Sequence, residues 1–204
     1  MKTKFINKKS CLIEKSVKFG KGVIVYPNNV ILGDTTISDG CILFPNNVIK
    51  NCKIGRNVTM KSSYLEDSVV GEGTSIGPFA NLRSGNNVGA NCKIGDFVEL
   101  KNCLMKSNTK ASHHSYLGDV EIGERCNVGA GVIVANFDGT KKHKSVIGDD
   151  VFLGCNSNLI SPVFVADGTF LCAGTTLTIN TNKNDFVIGR ARECVKSAAT
   201  IRKK

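Results

Sequence analysis

Large residues, mostly aliphatic, recur every six positions along most of the chain, and this period constrains the fold more than any other feature. They fall at Ile13, Phe19, Val25, Ile31, Ile37, Leu43 and Ile49, and after a one-residue slip at Ile54 and Met60. A second phase holds Val70, Ile76, Leu82, Val88, Ile94 and Leu100. A third holds Leu104, Lys110, Tyr116, Ile122, Val128 and Val134, and a fourth Ile147, Leu153, Leu159, Val165, Leu171 and Leu177. Two positions before each anchor the residue is usually small or β-branched, as at Thr74, Ala80, Val98, Val120, Ser157, Val163 and Thr175. Side chains alternate along a strand, so an anchor and its second neighbour share an inner face. Gly often follows the anchor, as after Ile54, Ile76, Ile94, Ile122, Val128, Ile147 and Leu153, and Gly tolerates the backbone of a tight corner. Short strands turned every six residues describe a β-solenoid whose coils stack and hydrogen-bond to one another.

Such a narrow interior explains why only 6% of residues are aromatic. A chain of 204 residues suits one domain. Its nine cysteines are odd in number and lack any C-x-x-C pair, which argues against a disulfide framework or a zinc site. Five of them, Cys11, Cys41, Cys52, Cys92 and Cys126, fall in the inner small slot, where a free thiol behaves as a small hydrophobe. A reducing cytoplasm is the expected compartment. The first ten residues are charged without an apolar run and do not read as a secretory signal, and no stretch reaches the ~18 apolar residues of a membrane span. A net charge of +10 fits phosphate-bearing ligands or a solvated surface. Nucleic-acid binding lacks interleaved aromatics and any recognised motif.

The residue after an anchor faces outward, which puts Arg83 and Lys101 on the outer wall; Asn127, one before Val128, is also outside. Residues 135–144 interrupt the repeat and form a loop, and such insertions lie at one edge of a solenoid, often at its binding face. Imidazole chemistry is limited to His113, His114 and His143. Counting in sixes back from Ile122 puts His114 inside and His113 outside, so His113 is the residue free to act as a general base near neutral pH. These histidines are poorly spaced for a metal, and none is expected. After Leu177 the pattern fades into a basic tail, 181–204, open to a short helix or a solvated cap.

Several motifs then occur in one order: Gly77-Pro-Phe-Ala-Asn-Leu-Arg-Ser-Gly85, Ile94-Gly-Asp-Phe-Val-Glu-Leu-Lys101, Lys110-Ala-Ser-His-His-Ser-Tyr-Leu-Gly-Asp119, Asn127-Val-Gly-Ala-Gly131, Ala135-Asn-Phe-Asp-Gly139 and Ile147-Gly-Asp-Asp-Val-Phe-Leu-Gly154. Over about residues 70–190 they resemble the acetyltransferase half of GlmU, the bifunctional N-acetylglucosamine-1-phosphate uridyltransferase/glucosamine-1-phosphate acetyltransferase. The resemblance implies an all-β, left-handed parallel β-helix that forms homotrimers and binds acetyl-CoA between subunits. It implies N-acetylation of glucosamine 1-phosphate, on the route to UDP-N-acetylglucosamine and cell-wall precursors. Carried over by position, His113 is the base, Arg83 and Lys101 hold the sugar phosphate, Tyr116 and Asn127 contact the sugar, and Lys142 matches a lysine of the inserted loop. For the acetyl donor the matching positions are Ala130, Asn136, Phe137, Cys155, Ala173 and Arg190.

Four departures bear on the site. Asn81 stands where the family has an Arg, Ser84 where it has Pro, Phe137 where it has Tyr, and Cys155 where it has Ser. The uridyltransferase half has no counterpart in this sequence, so a partner supplying that step is one role open to the N-terminal coils. The expected organisation is a β-helix over 1–180, with additional N-terminal coils at 11–60, a catalytic part at 70–180 and the loop 135–144. An acyltransferase for another amino sugar or sugar nucleotide, and a non-catalytic scaffold, are the competing readings.

Overall fold

A computed structural model describes residues 2–193 and 195. The chain winds as a parallel β-helix of short strands, each paired with a strand one coil away, and the left-handed parallel β-helix expected from the family is the fold observed. Val25 pairs with Leu43, Ile31 with Ile49, Ile76 with Ile94 and Leu82 with Leu100, so the anchors of one phase stack directly on those of the next coil. These anchors are almost fully buried and form one continuous core. Burying a Val, Leu or Ile side chain contributes about 1.5–3 kcal/mol, and here each coil repeats the gain on its successive strands.

The period is less regular than the sequence suggests. Leu104, Lys110 and Tyr116 are not anchors: Lys110 is exposed and the other two only half-buried, while Met105, Ala111 and Leu117 fill the core. The chain steps five residues from Leu100 to Met105 and five again from Leu117 to Ile122, and the ladder shows it, with Leu100 opposite Leu117 and Met105 opposite Ile122. Between them, Lys110 would place an ammonium in the core, whereas Ala111 costs nothing to bury. Leu65 is a further anchor, reached by a five-residue step from Met60 and paired with Ile49 and Leu82. The shift also moves Cys103 into the inner slot, where it is buried with Cys41, Cys52, Cys92 and Cys126, while Cys11 is only half-buried.

Glycine after an anchor has the expected left-handed backbone at Gly77, with φ +89°, but at Gly55, Gly95, Gly123, Gly129, Gly148 and Gly154 the cause is a different one. A Cβ on Gly129 would sit 2.7 Å from the Cys155 amide nitrogen and 2.7 Å from the Leu153 carbonyl oxygen. The next coil passes that close, so the space is needed rather than an unusual φ. The left-handed backbone comes two residues later in the corner, at Asn57, Phe97, Arg125, Asp150 and Asn156, and asparagine tolerates that region better than most side chains. Buried polar residues are satisfied along the axis: Asn47 Nδ2 donates to Asn29 Oδ1 at 2.8 Å, and the Ser63 amide to Asn47 Oδ1 at 3.0 Å. Among the described residues no buried side-chain nitrogen or oxygen lacks a partner.

Residues 136–143 leave the helix as a hairpin, and the coil containing them pairs Ile122 with Ile147. At the far end Phe186–Val187 pairs with Phe170–Leu171. No helix forms over 189–193, and 196–204 lie outside the described residues. Among the described residues no helix is long and apolar enough to cross a membrane.

Candidate active site

The outer wall gathers cations by stacking. Leu82 and Leu100 are ladder partners, so the residues after them, Arg83 and Lys101, lie on successive coils about 4.8 Å apart along the axis. One coil further, Lys101 faces Gly118. A Cβ there would collide with the Tyr116 ring and hydroxyl and come within 2.8 Å of Asn136 Nδ2, so this glycine opens the wall for both side chains. Lys142, from the hairpin, reaches the same spot: its ammonium is the main cause holding the Lys101 amine below its usual range, with Arg83 adding to the effect and Asp119 opposing it. Asp119 accepts hydrogen bonds from Asn102, at 2.8 Å, and from Asn136, whose amide also lies 3.4 Å from the Tyr116 hydroxyl. Arg83 Nη1 pairs with Glu99 Oε1 at 3.0 Å. Arg83, Lys101, Asn81, Ser84, Tyr64 and Glu66 line a depression of about 510 Å³.

A second group follows one corner of the helix. The Gly131 amide donates to the His114 carbonyl at 2.7 Å, Asn156 to Ala130 at 2.7 Å and Gly174 to Cys155 at 2.8 Å. Arg190 Nη1 ends the series on the Ala173 carbonyl at 2.6 Å. His113, Ala130, Cys155, Ala173 and Arg190 therefore form a column beside this corner, and Asn127 lies on the flat face that leads into it, opposite Lys110. Arg190 also borders a depression of about 350 Å³ with Ile188, Ala191, Arg192 and Glu193.

His113 is exposed, and its Nδ1 lies 2.8 Å from Asp96 Oδ1. The hydrogen bond from His113 is the main cause that keeps the Asp96 carboxyl below the usual carboxylate range. An ionised carboxylate only accepts, so Nδ1 carries the proton and, in the neutral ring, Nε2 presents its lone pair to solvent. His114 is not inside the helix: it is exposed on the corner with φ +35°, and Ser115 takes the inner slot before Leu117. The misplacement follows from counting to Tyr116 instead of Leu117.

The twelve sequence candidates thus separate. Arg83, Lys101, Tyr116, Lys142 and Asn136 come together; Ala130, Cys155, Ala173, Arg190 and His113 share the corner; Asn127 stands next to it. Phe137 is exposed on the hairpin with Asn136, apart from the other donor candidates. Among the described residues no side-chain hydrogen bond or ion pair joins the two groups. Asp96 was not singled out from the sequence, although it lies in one of the motifs. A uniform eighteen-residue coil pairs His113 with Gly95, but this coil has seventeen, so Asp96 is the partner. Asp119 and Asp138 also escaped notice, and His143 was named only as one of three imidazoles, because their contacts depend on how the hairpin folds back.

A family profile described as the GMPPB C-terminal domain matches residues 67–156. Bifunctional protein GlmU of Clostridium acetobutylicum is 46% identical over 184 residues, covering 90% of this chain and 40% of that protein. GlmU of Clostridium kluyveri is 43% identical over 198 residues, covering 97% and 43%. The chain therefore spans about two fifths of the length of these relatives. Among solved structures, UDP-N-acetylglucosamine acyltransferase from Arabidopsis superposes with a TM-score of 0.52 at 15% identity, covering 85% of this chain and 68% of that one; the likeness is one of fold. With its coils, its motifs and this extended identity in agreement, the chain belongs to the family of the C-terminal, left-handed β-helix acetyltransferase domain of GlmU.

Proposed function

We propose that the protein transfers an acetyl group from acetyl-CoA to the amine of glucosamine 1-phosphate, a step that leads to UDP-N-acetylglucosamine. The observation that carries this reading is the Asp96–His113 pair at 2.8 Å, an oriented imidazole with its second nitrogen free, exposed at the edge of a wall that also bears cations. Asp96 fixes the ring and stabilises the imidazolium that forms. His113 Nε2 takes a proton from the amine, whose lone pair attacks the thioester carbonyl. A C–N bond forms as the C–S bond breaks, and the CoA thiolate leaves, the proton returning from His113 to sulfur. Arg83 and Lys101, with Lys142, supply a guanidinium fork and two ammonium groups suited to the acceptor's phosphate.

The corner column suits the donor: the carbonyls of Ala130, Cys155 and Ala173 are taken up within the column, but their backbone amides have no backbone partner among the described residues, and the cationic Arg190 stands at its end for a phosphate of CoA. The reading includes the homotrimer that the family resemblance implies, in which the corner column of one subunit meets the cationic cluster of another across a subunit boundary. Incubation with acetyl-CoA and glucosamine 1-phosphate, followed by thiol release, tests the reaction; no release from an assembled protein rejects it. A second acceptor, another amino sugar or its nucleotide, is favoured by one observation: Asn81 and Ser84, both departures from the family, line the depression around Arg83. Turnover with such a sugar and none with glucosamine 1-phosphate selects that reading.

A further inference from the structure

The hairpin that carries Lys142 is tied by a single carboxylate. Asp138 Oδ1 accepts from the amides of Thr140 and Lys141, both at 2.8 Å, and Asp138 Oδ2 lies 2.6 Å from His143 Nε2. The backbone closes around it: the Asp138 amide donates to the Lys141 carbonyl at 3.1 Å, the His143 amide to the Asn136 carbonyl at 2.7 Å, and Phe137 bridges Lys142 in antiparallel fashion. The His143 side chain is largely covered. At one foot of the hairpin Asn136 contacts Asp119 and Tyr116 and lies against Gly118, the ladder partner of Lys101; at the other, Lys142 bridges Phe137 next to Asn136, which brings its ammonium to the Lys101 side of the wall. Bringing two ammonium groups together is electrostatically uphill, only partly offset here by Asp119, and a lysine on an unconstrained loop would relax away into solvent.

We propose that the Asp138–His143 clasp is a positioning device for the acceptor site, holding the hairpin so that Lys142 stays against Lys101 before the acceptor's anion arrives. Asp138 and His143 touch no reacting atom in this account; they act through Lys142. The inference rests on the reading of Arg83, Lys101 and Lys142 as the acceptor's anion site. It adds a cost already met in the free protein, so the anion meets a formed site rather than a loop it must order.

The test uses Asp138→Ala, Asp138→Asn and Lys142→Ala in the full chain. Inorganic phosphate binding is followed by calorimetry, and the Lys101 amine is titrated by NMR of ¹⁵N-labelled lysine. In Asp138→Ala the Lys101 titration should move up toward its ordinary value, as it should in Lys142→Ala, and phosphate affinity should fall by about tenfold with the melting temperature unchanged. Asp138→Asn keeps an oxygen to accept the Thr140 and Lys141 amides and should retain most of the affinity. Asp138→Ala placed on Lys142→Ala should add no further loss. Additive losses in the double variant, or an unmoved Lys101 titration in Asp138→Ala, overturn the clasp. Where the chain is active, Asp138→Ala should raise KM for glucosamine 1-phosphate and leave kcat within about twofold, and Asp138→Asn should leave both close to those of the unaltered protein. Absence of acetyl transfer would reject the acceptor chemistry, while the phosphate and titration data would still decide the clasp.

Discussion

At the scale of single residues, His113 and His114 are adjacent in sequence and differ in consequence. His113 has an oriented ring, so His113→Ala should slow acetyl transfer by about 10²–10⁴-fold with folding intact; thiol-release kinetics beside a melting curve measure this. His114 is exposed with φ +35°, so His114→Gly relieves strain at no packing cost. It should leave the rate unchanged and shift stability by no more than about 1 kcal/mol; a large loss of stability would restore the inward placement that counting in sixes suggests. The outward positions of Arg83, Lys101 and Asn127 were legible because each adjoins a true anchor. Asp96 was not, since its partnership depends on one missing residue in the coil.

At the scale of the repeat, two kinds of position bear the fold. The glycine after an anchor lies against the backbone of the next coil, which cannot yield as a flexible side chain can. Gly129→Ala should therefore destabilise by about 1–3 kcal/mol, measured by denaturant unfolding, whereas Asn156→Gly, at φ +56°, should be close to neutral. The inner thiols are the second kind. Burial pushes Cys52 up to about 11 and Cys103 up to about 12, against about 8.5 for an unfolded thiol. A raised folded value means that the folded state holds the proton more tightly. Its stabilisation is complete below about pH 8.5 and is lost as pH climbs toward 11–12. The melting temperature should fall over that window, and less steeply in a Cys52→Ala, Cys103→Ala variant; equal slopes would contradict the burial account. Periodicity made the solenoid and most anchors readable. The five-residue steps at Leu65, Met105 and Ile122 were not, because Leu104, Lys110 and Tyr116 kept an apparent period of six, and only the ladder identifies which neighbour is inside.

At the scale of the molecule, no side-chain hydrogen bond or ion pair among the described residues joins the cationic wall to the donor corner, and the proposed reaction needs them together. A trimer in solution, measured by mass, is the expected assembly; an active monomer would require both groups to act within one chain and would set aside the intersubunit site. The net charge of +10 takes on a partial use in this arrangement, with Arg83, Lys101, Lys142 and Arg190 at the proposed phosphate-binding positions. The most direct measurement is thiol release from acetyl-CoA with glucosamine 1-phosphate, comparing the unaltered protein with His113→Ala at equal folded concentration. The account predicts saturable turnover in the first and a loss of about 10²–10⁴-fold in the second; no release by the assembled protein, or equal rates in the two, would contradict it.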